Sequence, residues 1–137
     1  NKVIYKKNYG WQEASYGEIY GHHNEEKLIE PVYLKSHEKH GFQEPVFSFV
    51  PSIGISQIIN IPNTFSKFWN NNFLVSSLFG RSLYRVKFDK NYNKVIYYEK
   101  IFIGERIRDL KYLYDDNIIL LALEDEGELG ILQILND

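Results

Sequence analysis

The sequence predicts an all-β fold, and three observations carry that prediction. Aromatic residues make up 16% of the chain, and its apolar runs are rich in Ile, Val, Leu, Tyr and Phe, the residue types that favour a pleated surface. Turn residues separate these runs at short intervals. No segment has the periodicity of a helix of useful length. Short strands joined by tight turns are typical of antiparallel meanders with about four strands per unit, as in a β-propeller.

The strands are expected in the following order. Glu44–Pro51 is bracketed by prolines and fits a short edge or rim strand, and Gln57–Ile61 fits an inner strand. A loop with one helical turn follows at Pro62–Trp69. Its aromatic side chains at i, i+3 and i+4 are expected to pack into the core: Phe65, Phe68 and Trp69. Further strands are expected at Phe73–Leu78, Ser82–Asp89, Lys94–Ile103, Arg106–Tyr114, Ile118–Leu123 and Leu129–Leu135.

The N-terminal third of the chain lacks this succession of short apolar runs and turns. Val3–Gly21 holds three glycines and five large aromatic residues, which predicts a structured loop whose rings pack down. The following stretch to Glu44 is polar and predicts a long surface excursion. It contains all four histidines of the chain: His22, His23, His37 and His40. They have no carboxylate or cysteine companion at ligand spacing, so metal binding is not favoured there.

Composition excludes several classes of partner. The net charge is −2, which argues against nucleic acid or an anionic membrane as a bulk electrostatic partner. Cysteine is absent, so there is neither a disulfide framework nor a thiolate metal site. No apolar stretch reaches the ~20 residues of a membrane span, and the first residues do not resemble a signal peptide. The chain of 137 residues is expected to be one domain, and its start at Asn1 suggests a fragment or a processed product.

An arginine pair is the strongest candidate for a functional site. Arg106 and Arg108 follow a glycine turn at the start of a predicted strand, so they should project together, with Ile107 and Asp109 pointing the other way. Two adjacent guanidiniums are tolerated most easily where an anion or water neutralises them. The alternative is a solvated pair bound to acidic residues nearby, with Glu105, Asp109 and Asp125 as the candidates.

Four motifs in register give the chain a resemblance to the glucose/sorbosone dehydrogenase family, the soluble aldose dehydrogenases that use pyrroloquinoline quinone. They are Asn8–Trp11 with Ser15–Gly17, Pro45–Ile53, Asn72–Leu78 with Leu83–Val86, and Arg106–Asp109. The resemblance runs from Asn8 to Ile134. It implies a six-bladed β-propeller, of which residues 1–137 form the C-terminal fragment with about the last two blades. The remaining blades are expected N-terminal to Asn1, in a periplasmic or secreted protein.

The resemblance also assigns residues. Arg106 and Arg108 match the family's pair that contacts the quinone, whose carboxylates guanidinium forks can hold. Phe49 lies where the family often has a tryptophan close to cofactor and sugar. Phe79 replaces a lysine that binds the cofactor in some members, and Arg81 is placed to compensate. Glu124–Glu126 lies near a closing turn of the family and is interpreted as structural.

The resemblance places the rest of the machinery in earlier blades. The catalytic histidine, its aspartate partner and the Ca²⁺ ligands match nothing in this chain, so no catalytic or metal residue is assigned. The fragment alone is expected to be inactive, with its last blade left at three strands and an open edge.

These features give one leading function and two alternatives. The leading function is part of an enzyme that oxidises an aldose at the anomeric carbon to a lactone, with an unknown electron acceptor. The first alternative is a non-catalytic propeller fragment that serves as a binding or interaction module. The second is a sugar-binding β domain with Trp11, Tyr16 and Tyr20 as stacking platforms.

Overall fold

The computed structural model describes residues 1–17 and 33–135. The chain forms two compact units, Asn1–Ser52 and Ile53–Asp137, and the prediction of one domain stays a prediction. Predictions that involve Tyr20, His22 and His23 lie outside the described residues. None of the described helices is long and apolar enough to cross a membrane.

The N-terminal unit is built mainly from turns. Its one described helix is a 3₁₀ helix at His37–His40, which ends at Gly41 with a φ of 80°. Ala14 and Leu34 form an isolated parallel bridge that joins the two described parts of this unit. Gly10 is required at its position, because a Cβ there would come within 2.8 Å of the Ala14 Cβ.

The C-terminal unit contains seven antiparallel strands in two sheets. The first sheet has the order β1-β2-β3-β4, and the second has the order β5-β6-β7. The strands are β1 (Ile55–Asn60), β2 (Asn72–Ser77), β3 (Ser82–Phe88), β4 (Val95–Phe102), β5 (Ile107–Leu113), β6 (Ile118–Leu123) and β7 (Leu129–Leu132). The all-β prediction is confirmed, whereas the number of blades and the closure of a propeller stay predictions.

Tight turns set the order of the strands. In the β3–β4 hairpin, the carboxylate of Asp89 accepts hydrogen bonds from the backbone N–H of Asn93 at 2.6 Å and of Lys94 at 3.1 Å. A side chain that satisfies its own turn in this way fixes the hairpin locally. The turn residues between the expected strands Ser82–Asp89 and Lys94–Ile103 therefore form a hairpin loop, as their residue types predict. Strand β1, predicted as an inner strand, lies at one edge of the four-stranded sheet.

One hydrophobic core joins the two sheets. Leu74 on β2, Leu83 on β3, and Ile107 and Ile119 on β5 and β6 are all fully buried in this cluster. Alternate residues of a strand share a face, so each strand contributes only part of its length to the core. The outer strand β4 is exposed over most of its length.

Two serines connect β1 to β2 of its own sheet and to β5 of the second sheet. The hydroxyl of Ser56 lies 2.7 Å from that of Ser76 on β2 and 2.5 Å from the backbone oxygen of Ile107 on β5. The Ser56 hydroxyl therefore links the two sheets directly. Since Ser76 and Ile107 are fully buried, these hydrogen bonds satisfy polar atoms that water cannot reach.

Three sequence predictions about packing are wrong. Residues 44–51 form no strand, and the segment is irregular. Phe68 is 78% exposed, so only Phe65 and part of Trp69 pack into the core. Trp11 is 84% exposed, so the rings of the N-terminal loop do not all pack down. In each case the sequence gives the apolar side chain but not the partner that would cover it.

Candidate functional site

The arginine pair lies at the start of β5, where the strand carries a β-bulge. Ile107 is paired with Leu123 of β6, but Asp109 is paired with Ala122, so one extra residue is accommodated between them. Ile107 is fully buried and Asp109 is exposed. The prediction that these two side chains share a direction is therefore wrong, because the bulge breaks the period of the strand at Arg108.

Both arginines bind one carboxylate. Arg106 Nε lies 3.1 Å from Glu124 Oε2, and Arg108 donates from Nε at 2.7 Å to the same oxygen and from Nη2 at 2.8 Å to Oε1. The prediction that the two guanidiniums project together is confirmed. Their partner is Glu124, which directly follows β6. Its backbone N–H donates to the Arg106 oxygen at 2.9 Å, and this bond keeps Glu124 beside the arginine pair. The expected partners Glu105 and Asp109 do not pair with either arginine.

A third arginine extends this cluster of charges. Arg81 precedes β3 and has a φ of 46°. Its side chain donates to the backbone oxygen of Gly104 at 3.0 Å and lies 3.1 Å from Asp125. Asp125, a candidate partner of the strand β5 pair, binds Arg81 instead. We call these three arginines with Glu124 and Asp125 the arginine cluster.

The charges of the cluster control the ionisation of Glu124. Hydrogen bonds from Arg108 and then Arg106 hold the pKa of Glu124 below its ordinary value of 4.5. The carboxylate therefore stays ionised to a lower pH than an isolated glutamate would. With three arginines and two acidic groups, the cluster keeps one net positive charge at neutral pH.

The cluster retains donors for a further anion. Among residues 1–17 and 33–135, the two terminal nitrogens of Arg106 and the Nη1 of Arg108 donate to no partner. The side chains of Arg106 and Arg108 are 35% and 56% exposed, so a ligand can approach both. Guanidinium donors of this kind match carboxylates and quinone oxygens. The residues present therefore fit a cofactor that carries carboxylates.

The two phenylalanines with a predicted role lie in different units. Phe79 is 67% exposed in the turn between β2 and β3, two residues before Arg81. Phe49 is half-buried in the N-terminal unit, where it lines a cavity and packs edge-on against Phe47 with centroids 5.0 Å apart. The structure brings Arg81, Arg106 and Arg108 into one cluster in the C-terminal unit, whereas Phe49 belongs to the N-terminal unit.

No group of three potential metal ligands occurs within the described ranges, which include His37 and His40. His37 is buried in the 3₁₀ helix, and His40 of the same helix is exposed.

Sequence reasoning assigned only a structural role to Glu124 and did not pair Asp125 with Arg81. The pairing of β5 with β6 places Glu124 opposite Arg106, and that pairing could have been anticipated from the tight turn between the two predicted strands. The complete arginine cluster could not be anticipated from β5 and β6 alone, because Arg81 precedes β3 in the other sheet.

Comparison with known proteins identifies the family. The profile of the family described as glucose/sorbosone dehydrogenase matches residues 1–132. The chain belongs to the glucose/sorbosone dehydrogenase family. A relative from Synechocystis sp., described as an uncharacterized protein, is 24% identical over 129 residues, which are 94% of this chain and 29% of that protein.

Solved structures of this family share the fold. The chain superposes on a crystal structure of glucose dehydrogenase with a TM-score of 0.74 and 24% identity, over 96% of this chain and 36% of that one. It also matches the apo-form of the soluble aldose sugar dehydrogenase from Escherichia coli, with a TM-score of 0.68 and 22% identity, over 93% and 35% of the two chains. The chain thus spans about a third of the length of these family members.

Proposed function

We propose that this chain is the C-terminal part of a periplasmic or secreted quinone-dependent sugar dehydrogenase, and that its arginine cluster binds pyrroloquinoline quinone. The observation that carries the proposal is the pair Arg106 and Arg108, which projects from one strand end with guanidinium donors to spare. Membership of the glucose/sorbosone dehydrogenase family supports the same assignment. The whole enzyme would oxidise an aldose at the anomeric carbon to a lactone.

The chemistry of the cluster suits this cofactor. Pyrroloquinoline quinone carries three carboxylates and an ortho-quinone, and when bound it accepts the hydride that the sugar loses. Arg106 and Arg108 would hold carboxylate or quinone oxygens, and their fixed positive charge would favour an oxygen on which negative charge develops. Phe79 stands where some family members carry a lysine that binds the cofactor, and Arg81 would supply the positive charge of that lysine. Glu124 and Asp125 orient the three side chains.

This chain alone would supply one side of the cofactor site. The sugar's hydroxyl proton must be taken by a base, and the resemblance places that histidine and the Ca²⁺ ligands in earlier blades. We therefore expect cofactor binding, but no turnover, from residues 1–137.

Calorimetric titration of the purified chain with pyrroloquinoline quinone tests the proposal. Arg106→Ala and Arg108→Ala should each weaken binding by about tenfold to a hundredfold, since a hydrogen bond to a charged group contributes about 1.5–3 kcal/mol. Arg→Lys at either position should restore only part of the affinity, because an ammonium group lacks the planar fork.

Lys111→Ala provides the matched control. Lys111 is an exposed cation on the same strand β5, outside the cluster, so its removal changes the net charge equally. It should leave the affinity nearly unchanged. Equal losses in Lys111→Ala and the arginine variants would reduce the effect to bulk charge and refute the proposed site.

One observation favours the alternative of a non-catalytic binding or interaction module. Glu124 already occupies three donors of the arginine pair, so the pair can act as a structural clamp between β5 and the end of β6. This alternative predicts that the arginine variants lower the free energy of unfolding while the quinone causes no heat of binding.

A further inference from the structure

Glu124 fills the part of the arginine pair that is best shaped for a carboxylate. Arg108 donates from Nε at 2.7 Å to Glu124 Oε2 and from Nη2 at 2.8 Å to Oε1, so its fork holds both oxygens of this side chain. Arg106 adds a bond from Nε to Oε2 at 3.1 Å. A guanidinium fork is the arrangement that recognises carboxylates in general. The chain's own carboxylate therefore occupies the position that a carboxylate of a ligand would take on Arg108.

The side chain of Glu124 can leave this position while its backbone stays in place. Within residues 1–17 and 33–135, its carboxylate has hydrogen bonds and ion pairs with these two arginines alone. The side chain is 32% exposed, so water can solvate the carboxylate once it turns away. The backbone is held separately, because the Glu124 N–H donates to the Arg106 oxygen at 2.9 Å. Glu124 is thus an exchangeable partner on a fixed backbone.

The charge of Glu124 also limits how strongly the cluster attracts carboxylates. Asp125 pairs with Arg81, and Glu124 neutralises one of the two charges of the arginine pair, which leaves one net positive charge. Glu124 is ionised at neutral pH, since hydrogen bonds from the two arginines lower its pKa. A ligand with several carboxylates is attracted by the remaining charge and repelled by Glu124 at the same time. The repulsion grows with the number of carboxylates.

We propose that Glu124 competes with the cofactor for Arg106 and Arg108, and that it sets the affinity of the arginine cluster for ligands with several carboxylates. This inference deepens the proposed function and rests on it, because it concerns the ligand that the cluster would bind. In the free chain Glu124 stabilises the arginine pair. On binding, a carboxylate of the ligand replaces Glu124 on the Arg108 fork. Glu124 therefore contributes stability and lowers affinity.

Calorimetric titration of Glu124→Gln with pyrroloquinoline quinone at neutral pH tests the competition. The amide keeps the size of the side chain but loses its charge, so the variant should bind the quinone about tenfold more tightly than the parent chain, as expected when one charge repulsion is removed at a half-exposed site. The melting temperature of the free chain should move the other way and fall. A residue that only orients the arginines would lower both properties. Unchanged or weaker binding of the quinone by Glu124→Gln would overturn the inference.

Two further variants separate the competition from other effects of the substitution. Glu124→Asp keeps the charge and shortens the side chain, so it should bind the quinone no more tightly than the parent chain. Glu126→Gln removes the same charge from an exposed residue of the same turn, and it should change the affinity by less than about twofold. A gain in Glu124→Asp as large as that in Glu124→Gln would refute the role of the charge. An equal gain in Glu126→Gln would reduce the effect to the net charge of the chain.

A series of simple carboxylates makes the test independent of the quinone. Benzoate, isophthalate and trimesate carry one, two and three carboxylates, and Glu124→Gln should raise their affinities by factors that grow in this order. The absence of this trend would overturn the inference even if the quinone binds.

The same titrations show which of the two proposals fails. Binding of trimesate without binding of the quinone would reject the proposed cofactor, and the trend across the series would still decide the role of Glu124. Loss of quinone binding in Arg106→Ala, together with equal affinities of Glu124→Gln and the parent chain, would keep the proposed function and reject the competition. Failure of Glu124→Gln to bind any of these ligands would reject both.

Discussion

Ile107→Val provides a sensitive test of how the core supports the arginine pair. Ile107 is fully buried, lies between Arg106 and Arg108 in the chain, and packs in the cluster that joins both sheets. The substitution removes one methylene, for which the lost transfer free energy is about 0.8 kcal/mol. The small cavity left behind adds to this loss. We expect the free energy of unfolding to fall by about 0.5–1.5 kcal/mol.

Urea denaturation followed by circular dichroism measures this change. With a slope of about 1–3 kcal/mol per molar urea, a loss of about 1 kcal/mol lowers the midpoint by roughly 0.3–1 M. Ile96→Val on β4 is the matched control, since Ile96 is 56% exposed and should shift the midpoint much less. Equal shifts at the two positions would refute the claim that Ile107 anchors β5 in the core.

Two further predictions concern polar groups. Ser56→Ala should lower the free energy of unfolding by about 1–3 kcal/mol, because it leaves the buried backbone oxygen of Ile107 without its hydroxyl donor. The control Ser66→Ala, in the loop after β1, should have a smaller effect. Equal losses of the two variants in a urea titration would argue against a hydrogen bond between the sheets. Glu124→Gln should lower the melting temperature only where Glu124 is ionised. Since the folded pKa of Glu124 is depressed, its stabilisation is complete above pH 4.5 and disappears as the pH falls through the folded value. The melting curves of parent and variant should therefore converge in acid, and a difference that stays constant throughout the acid range would contradict the pairing with Arg106 and Arg108.

The strands of the C-terminal unit could be predicted because their signals are local. Ile118–Leu123 was expected and is found with the same bounds, and β2 is displaced by one residue from the expected Phe73–Leu78. Each of these segments is a β-favouring run between turn residues, and in the β3–β4 hairpin the side chain of Asp89 satisfies backbone N–H groups of its own turn. Chain neighbours are also sheet neighbours throughout both sheets, so no long-range pairing had to be inferred.

Predictions that depended on distant partners were less successful. Residues 44–51 have the composition of a strand, but a strand requires a second strand beside it, and none of the described strands pairs with this segment. Phe68 has the spacing of a core residue, yet the turn that contains it directs the ring to solvent. The Arg81–Asp125 pair was missed for the same reason, because it joins a hairpin of the first sheet to a turn of the second.

The bulge in β5 explains how one short segment can serve both the core and a charged surface. Strict alternation from Ile107 would direct Asp109 into the core and Leu110 outward. Because the bulge adds one residue, Leu110 is buried and Asp109 is exposed, where its carboxylate accepts a hydrogen bond from Gln57 of β1 at 3.1 Å. Arg108, which is adjacent to the buried Ile107, stays outside the core and pairs with Glu124. A strand without the bulge would have to bury the charge of Asp109 or lose Leu110 as an apolar anchor, so the irregularity is what makes a charged Asp109 compatible with this core.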